Sequence, residues 1–168
     1  LLDCEAARRD DLKRRLSMYR LRSKVTLEPF DGLAVVLLYG PAALDRLALP
    51  AEPGRARPLE GGLAFVDPRL AALGARAWLP AGAAPAALAA LGFAPGDAAA
   101  YEQLRLAAGV PDGSRDLPVE KALLLESGFD ELHGVDWQKG CYMGQELTAR
   151  TKYRGLIKRR LFPVKIEG

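Results

Sequence analysis

Histidine occurs once in these 168 residues, cysteine and methionine twice each, and aromatic side chains make up only 7% of the chain. Each scarcity excludes something. Two cysteines, Cys4 and Cys141, cannot build a disulfide framework, and neither belongs to a CxxC or Cys/His spacing that would hold a metal ion. Free thiols suit a reducing compartment, and the expectation from them is the cytoplasm. A Cys/His nucleophile pair would have to use His133, eight residues before Cys141, and a surface turn is the plainer place for that histidine. Long hydrophobic runs are also missing, so neither membrane insertion nor export is expected. Charge of one sign is scarce too: 24 Lys+Arg against 21 Asp+Glu leave +3, too mild to imply nucleic acid. The chain opens on "LLDCEAARRD" without an initiator methionine, as a fragment of a longer protein would.

What is present reads as a soluble globular chain whose core is filled by Leu, Val, Phe and Trp, because alanine inflates the 49% hydrophobic content. Leu12, Leu16 and Tyr19 recur at helical spacing, predicting an amphipathic helix over 3–22 with Asp3 as its N-cap. Residues 24–40 turn β-branched and apolar around Pro29, Asp31 and Gly32, the punctuation of a β-hairpin. A short helix over 41–49, a loop over 51–62 and strands near 63–67 and 75–79 follow. The alanine-rich 81–110 parses as two helices, the second capped by Asp97. Beyond a loop, with a strand or turn near 120–125, a helix runs to Gly155 and 157–166 reads as a strand. This order predicts an α+β fold, an antiparallel sheet with helices on one face.

The stretch "KGCYMGQE" (139–146) places a thiol between glycines and a lysine. The nucleophile is the thiolate, favoured by the positive end of a helix starting near Met143 and by Lys139 two residues away. Gly140 and Gly144 let the backbone turn tightly and a flat ligand approach. The bland alternative is a small buried hydrophobe. After Glu146 no acidic residue occurs until Glu167, while Arg150, Lys152, Arg154, Lys158, Arg159, Arg160 and Lys165 intervene. Helical spacing puts Arg150 and Arg154 on one face and Lys152 on another. The first face suits a carboxylate or a phosphate; a merely solvated face is equally compatible.

"KGCYMGQELTAR", with "RLAAGVP" (105–111) and "PVE" (118–120) before it and "RGLIKRRL" after it, resembles the YgfZ family of folate-binding proteins. These are relatives of the glycine-cleavage T-protein, an aminomethyltransferase, and have mitochondrial cousins that assist iron-sulfur cluster assembly. The resemblance implies a three-lobed ring around a tetrahydrofolate pocket. Residues 1–155 would be the folate-binding region without its first strands, and 156–168 the opening strand of a C-terminal β-barrel. It further implies Lys139 and Cys141 as the functional pair, with Gly140, Tyr142, Gly144, Gln145, Glu146 and Arg150 at the folate. The implied partners are reduced folate and iron-sulfur client proteins, including enzymes that thiolate tRNA, with no direct nucleic-acid contact and no membrane.

Such proteins resemble accessory factors more than free-standing enzymes. In a true aminomethyltransferase the place of Ala107 is a folate-contacting glutamate and that of Gln145 an arginine, so two charge-assisted contacts, each worth roughly 1.5 to 3 kcal/mol, are missing here. The third reading, an RNA-binding module, has Tyr153 as its aromatic among Arg150, Lys152 and Arg154.

Overall fold

A computed structural model describes residues 1–155 and 157–167. Its centre is β4 (Ala75–Pro80), whose strict alternation sends Ala75, Ala77 and Leu79 to a buried face and Arg76, Trp78 and Pro80 to the other. On one side β4 pairs with β1 (Leu33–Leu38), on the other with β3 (Gly62–Val66). A tight hairpin joins β3 to β2 (Ala56–Leu59), completing an antiparallel sheet of order β1-β4-β3-β2. Glu60 and Gly61 both take positive φ, 41° and 77°, the signature of the turn whose twist matches two paired strands.

One face of this sheet is covered by α2 (Ala43–Arg46), with Leu47 at its end, and by α3 (Ala84–Ala90), which contributes Ala84 and Leu88. Small Ala64, Ala75 and Ala77 let them approach closely, and each fully buried leucine such as Leu47 or Leu79 contributes about 1.5 to 3 kcal/mol. Across the opposite face, where Phe65 and Trp78 meet edge to face, α1 (Arg9–Tyr19) lies beyond a groove of about 660 Å3. The expected α+β architecture is the observed one.

Local expectations fare unevenly. Asp97 caps α4 (Ala98–Ala107) as predicted, its carboxylate accepting the Ala99 N–H at 2.9 Å. Asp3 does not cap α1, which follows a 3-10 turn at Ala6–Arg8; Asp3 instead pairs with Arg76 of β4 at 2.9 Å. The hairpin predicted over 24–40 supplies only β1. Pro29 has no N–H to pair, and β1 finds its partner in β4, more than thirty residues along the chain. Conversely, β2 forms inside the predicted loop, its Pro58 tolerated because the strand is at the sheet edge. Around 120–125 the chain makes turns, with Lys121 and Ala122 both donating to the Pro118 carbonyl.

The strand expected over 157–166 is absent, and the barrel is not confirmed. A strand needs a neighbour, and among the described residues this segment's backbone bond to the rest of the chain is from the Leu161 N–H to the Glu126 carbonyl, beside ion pairs such as Arg160–Glu131. Leu156 and Gly168, which bound the expected barrel segment, lie outside the described residues. Arg105, 4% exposed, bonds the Val110 carbonyl, Asp116 and Glu102 at 2.6 to 2.8 Å. It thereby ties α4 to the turn at α5 (Gly113–Asp116) and to the irregular segment leading to the thiol.

Candidate functional site

The last helix, α6 (Gln145–Tyr153), begins two residues later than expected because Gly144 takes a left-handed conformation at its start, φ 83°. Gly140 is similar at φ 92°. A Cβ at either would meet nothing within 4 Å, so these glycines serve the turn through conformation and not by making room. The Gln145 side chain reaches back to accept the Tyr142 N–H at 3.1 Å, fastening the turn to the first residue of the helix. On the other flank, Asp136 accepts the N–H groups of Gln138 and Lys139 at 2.8 and 3.1 Å.

Cys141 is exposed and opens onto a groove of about 600 Å3 along α6. Tyr142, Gln145, Glu146, Arg150, Tyr153 and Arg154 line it with Cys141. The structure thus gathers Cys141 with four of the six residues assigned to the ligand; Gly140 and Gly144 shape the turn from outside. Lys139 does not line the groove either: its ammonium lies over the Tyr142 ring, 5.2 Å from the centroid. The split read from helical spacing holds, since Arg150 and Arg154 face the groove while Lys152 turns away to Asp130 at 2.9 Å. Arg150 pairs with Glu146 at 2.8 Å, with both side chains more than half exposed. Such a pair is worth at most about 1 kcal/mol, so an incoming ligand displaces it easily.

His133 sits in a left-handed turn, φ 58°, exposed and away from the groove, so no Cys/His pair forms. Among the described residues no cluster of His, Cys, Asp and Glu is arranged to hold a metal ion, and no helix is long and apolar enough to cross a membrane. Sequence reasoning missed Asp130 and Trp137. The Trp137 indole N–H donates to Asp130 at 2.6 Å, the Lys152 ammonium lies 4.1 Å from the Trp137 ring centroid, and Tyr153 meets that ring edge to face. The hydrogen bond from Lys152, then that from Trp137, hold the Asp130 carboxyl below its ordinary value.

A reduced folate joins a flat, hydrogen-bonding pterin to carboxylates. The groove offers the rings of Tyr142 and Tyr153, the Gln145 amide, the Glu146 carboxylate and two guanidinium groups. The donor set fits that chemistry. Ala107 is exposed at the end of α4 and outside the groove.

No family model matches the chain. Over 167 residues it is 42% identical to a human protein, "Iron-sulfur cluster assembly factor IBA57, mitochondrial", a match covering 98% of the chain and 45% of that protein. The mouse protein of the same name is 41% identical over 179 residues, covering 100% and 45%. A Neurospora crassa homolog is 31% identical over 170 residues, covering 97% and 37%. These relatives are iron-sulfur cluster assembly factors. The chain spans less than half the length of each. Their names support the resemblance carried by the 139–150 motif at that level. They also overturn the cytoplasmic expectation, since all three are named as mitochondrial. Free thiols indicate a reducing environment but do not distinguish one such compartment from another.

Proposed function

We propose that this chain is the folate-binding part of a mitochondrial accessory protein of the YgfZ type, related to the glycine-cleavage T-protein, that supports assembly or repair of iron-sulfur client proteins, tRNA-modifying ones among them. Residues 1–155 form the folate-binding region. The observation that carries this reading is Cys141 standing exposed at a groove that also presents Arg150 and Arg154. Arg150 and Arg154 hold the carboxylates of tetrahydrofolate, Glu146 and Gln145 meet the pterin edge, and Tyr142 supplies a ring. Bound tetrahydrofolate supplies an acceptor or donor of one-carbon units. Cys141 handles a sulfur or iron species or a folate-borne adduct, and Lys139 holds Tyr142 from above.

Aminomethyl transfer is disfavoured by Ala107 and Gln145, which stand where that reaction needs a carboxylate and a guanidinium. An RNA surface has less support, because Lys152 is held by the half-buried Asp130 and its ring partner Trp137 rather than being presented to a phosphate backbone. The test is titration of the full-length protein with tetrahydrofolate, with and without Cys141→Ser, beside an assay of client activation. Cys141→Ser should keep the folate Kd within about twofold, since a thiol adds little to ionic and hydrogen-bonded affinity, while client activation is lost. Equal loss of both would make Cys141 structural, and no saturable binding in either form would end the folate reading.

A further inference from the structure

The segment carrying Cys141 is held at both ends. On the C-terminal side the Gln145 amide holds the Tyr142 N–H. On the N-terminal side the Trp137 ring is fastened to α6 by two contacts, its face under the Lys152 ammonium and an edge-to-face meeting with Tyr153, and its N–H donates to Asp130. Asp130 closes the circuit, bonding Lys152 through both oxygens at 3.2 and 2.9 Å. Only three residues separate Trp137 from Cys141.

We infer that Asp130, Trp137 and Lys152 are positioning residues, a lock that docks the thiol segment onto α6 and keeps Cys141 beside Arg150 and Arg154. The same helix supplies both halves: Lys152 points back to the lock, and Arg150 and Arg154 point to the groove. Releasing Trp137 leaves Tyr142–Gln145 as the hydrogen bond that ties the thiol segment to α6 among the described residues, so the segment is free to pivot away from the guanidinium groups. The groups facing Asp130 are Lys152 of α6, the Trp137 N–H, the charge of Arg160 and the adjoining carboxylate of Glu131. Protonating Asp130 removes the charge that pairs with Lys152 and weakens the bonds from Lys152 and Trp137, so acid opens the lock.

The inference deepens the reading of Cys141 as the working thiol, and its test uses no folate, so the two can fail separately. The thiolate attacks iodoacetate and iodoacetamide at the same carbon, displacing iodide, and the two reagents differ in charge. Their rate ratio at Cys141, with Cys4 between Asp3 and Glu5 as the internal reference, reports how close the thiol lies to Arg150 and Arg154. In Asp130→Ala, loss of a negative charge alone would raise the preference for iodoacetate, whereas loss of position lowers it; we expect a fall of about threefold or more. Trp137→Phe, which changes no charge, should lower the ratio as well, and Lys152→Arg should retain it.

A second readout uses Trp78→Phe, which leaves Trp137 as the only tryptophan. Its emission should change on acidification at a pH below the ordinary carboxylate range, and Lys152→Met should move that change upward. A ratio unchanged or raised in Asp130→Ala and unchanged in Trp137→Phe, in protein that melts as the parent does, overturns the inference. So does an emission profile that ignores Lys152→Met.

Discussion

Gly74→Ala is expected to cost about 2 to 5 kcal/mol of stability. Two independent costs meet at this position. Its φ of 87° lies where an L side chain crowds the backbone, a penalty of about 1 to 2 kcal/mol. A Cβ there would also stand 2.2 Å from the Leu38 carbonyl oxygen, a backbone atom that cannot rotate away. Relieving the clash means parting β1 from β4 where Leu38 pairs with Ala75, and overpacking of that kind costs about 1 to 3 kcal/mol more. Gly54→Ala is the control, since φ is 79° but nothing lies within 4 Å, so only the conformational cost, about 1 to 2 kcal/mol, should appear. Urea unfolding followed by circular dichroism separates the two. Equal midpoints for both variants would show that β1 yields to the intruding methyl group.

The contrast between Asp97 and Asp3 shows what a sequence can and cannot disclose. Both precede a helical pattern and both are competent caps, but Asp97 has its acceptor task two residues away, whereas Asp3 is claimed by an arginine 73 residues distant. Local chemistry was legible; competition from a remote partner was not. The same division explains the strands. Runs 63–67 and 75–79 were visible because alternation and flanking turns agree, while β2 hid behind a proline that only an edge position permits. Residues 157–166 have strand composition without a strand to pair with.

At the site, the facing of Arg150, Arg154 and Lys152 followed from 3.6 residues per turn. The glycines were visible from their place beside the thiol, although their role proved conformational and not one of clearance. Asp130 and Trp137 were not, because an acid seven residues before a tryptophan acquires meaning only when α6 folds back between them. A tryptophan four residues ahead of Cys141, in a chain with two, was the one available signal. Lys139 and Tyr142 were assigned separately, yet the structure makes them a stacked pair.

Asp67→Ala is expected to cost about 3 kcal/mol at neutral pH, because it leaves two arginines without the buried charge that orders them. Asp67 is 1% exposed at the end of β3 and accepts from the Arg69 N–H, from the Arg69 guanidinium at 2.9 and 2.7 Å, and from Arg76 at 3.1 Å. Burial alone pushes its carboxyl upward, but the hydrogen bonds from Arg69 and the charges of Arg69 and Arg76 prevail and hold it below the ordinary value. The sign of the pH dependence follows. A carboxyl that releases its proton more readily in the folded chain than in the unfolded one contributes fully above the ordinary value, and the contribution is lost as pH falls through the folded value. The parent also loses stability from Glu102, Asp116 and Asp130, whose carboxyls are likewise lowered, so the absolute midpoint cannot isolate Asp67. The difference between parent and Asp67→Ala can: it should be constant from pH 7 to about pH 5 and shrink steadily below about pH 4. A gap that stays constant into acid would mean that Asp67 acts by shape and hydrogen bonding alone. In that case Arg76, which also binds Asp3, would anchor the N-terminal segment without help from the charge beneath it.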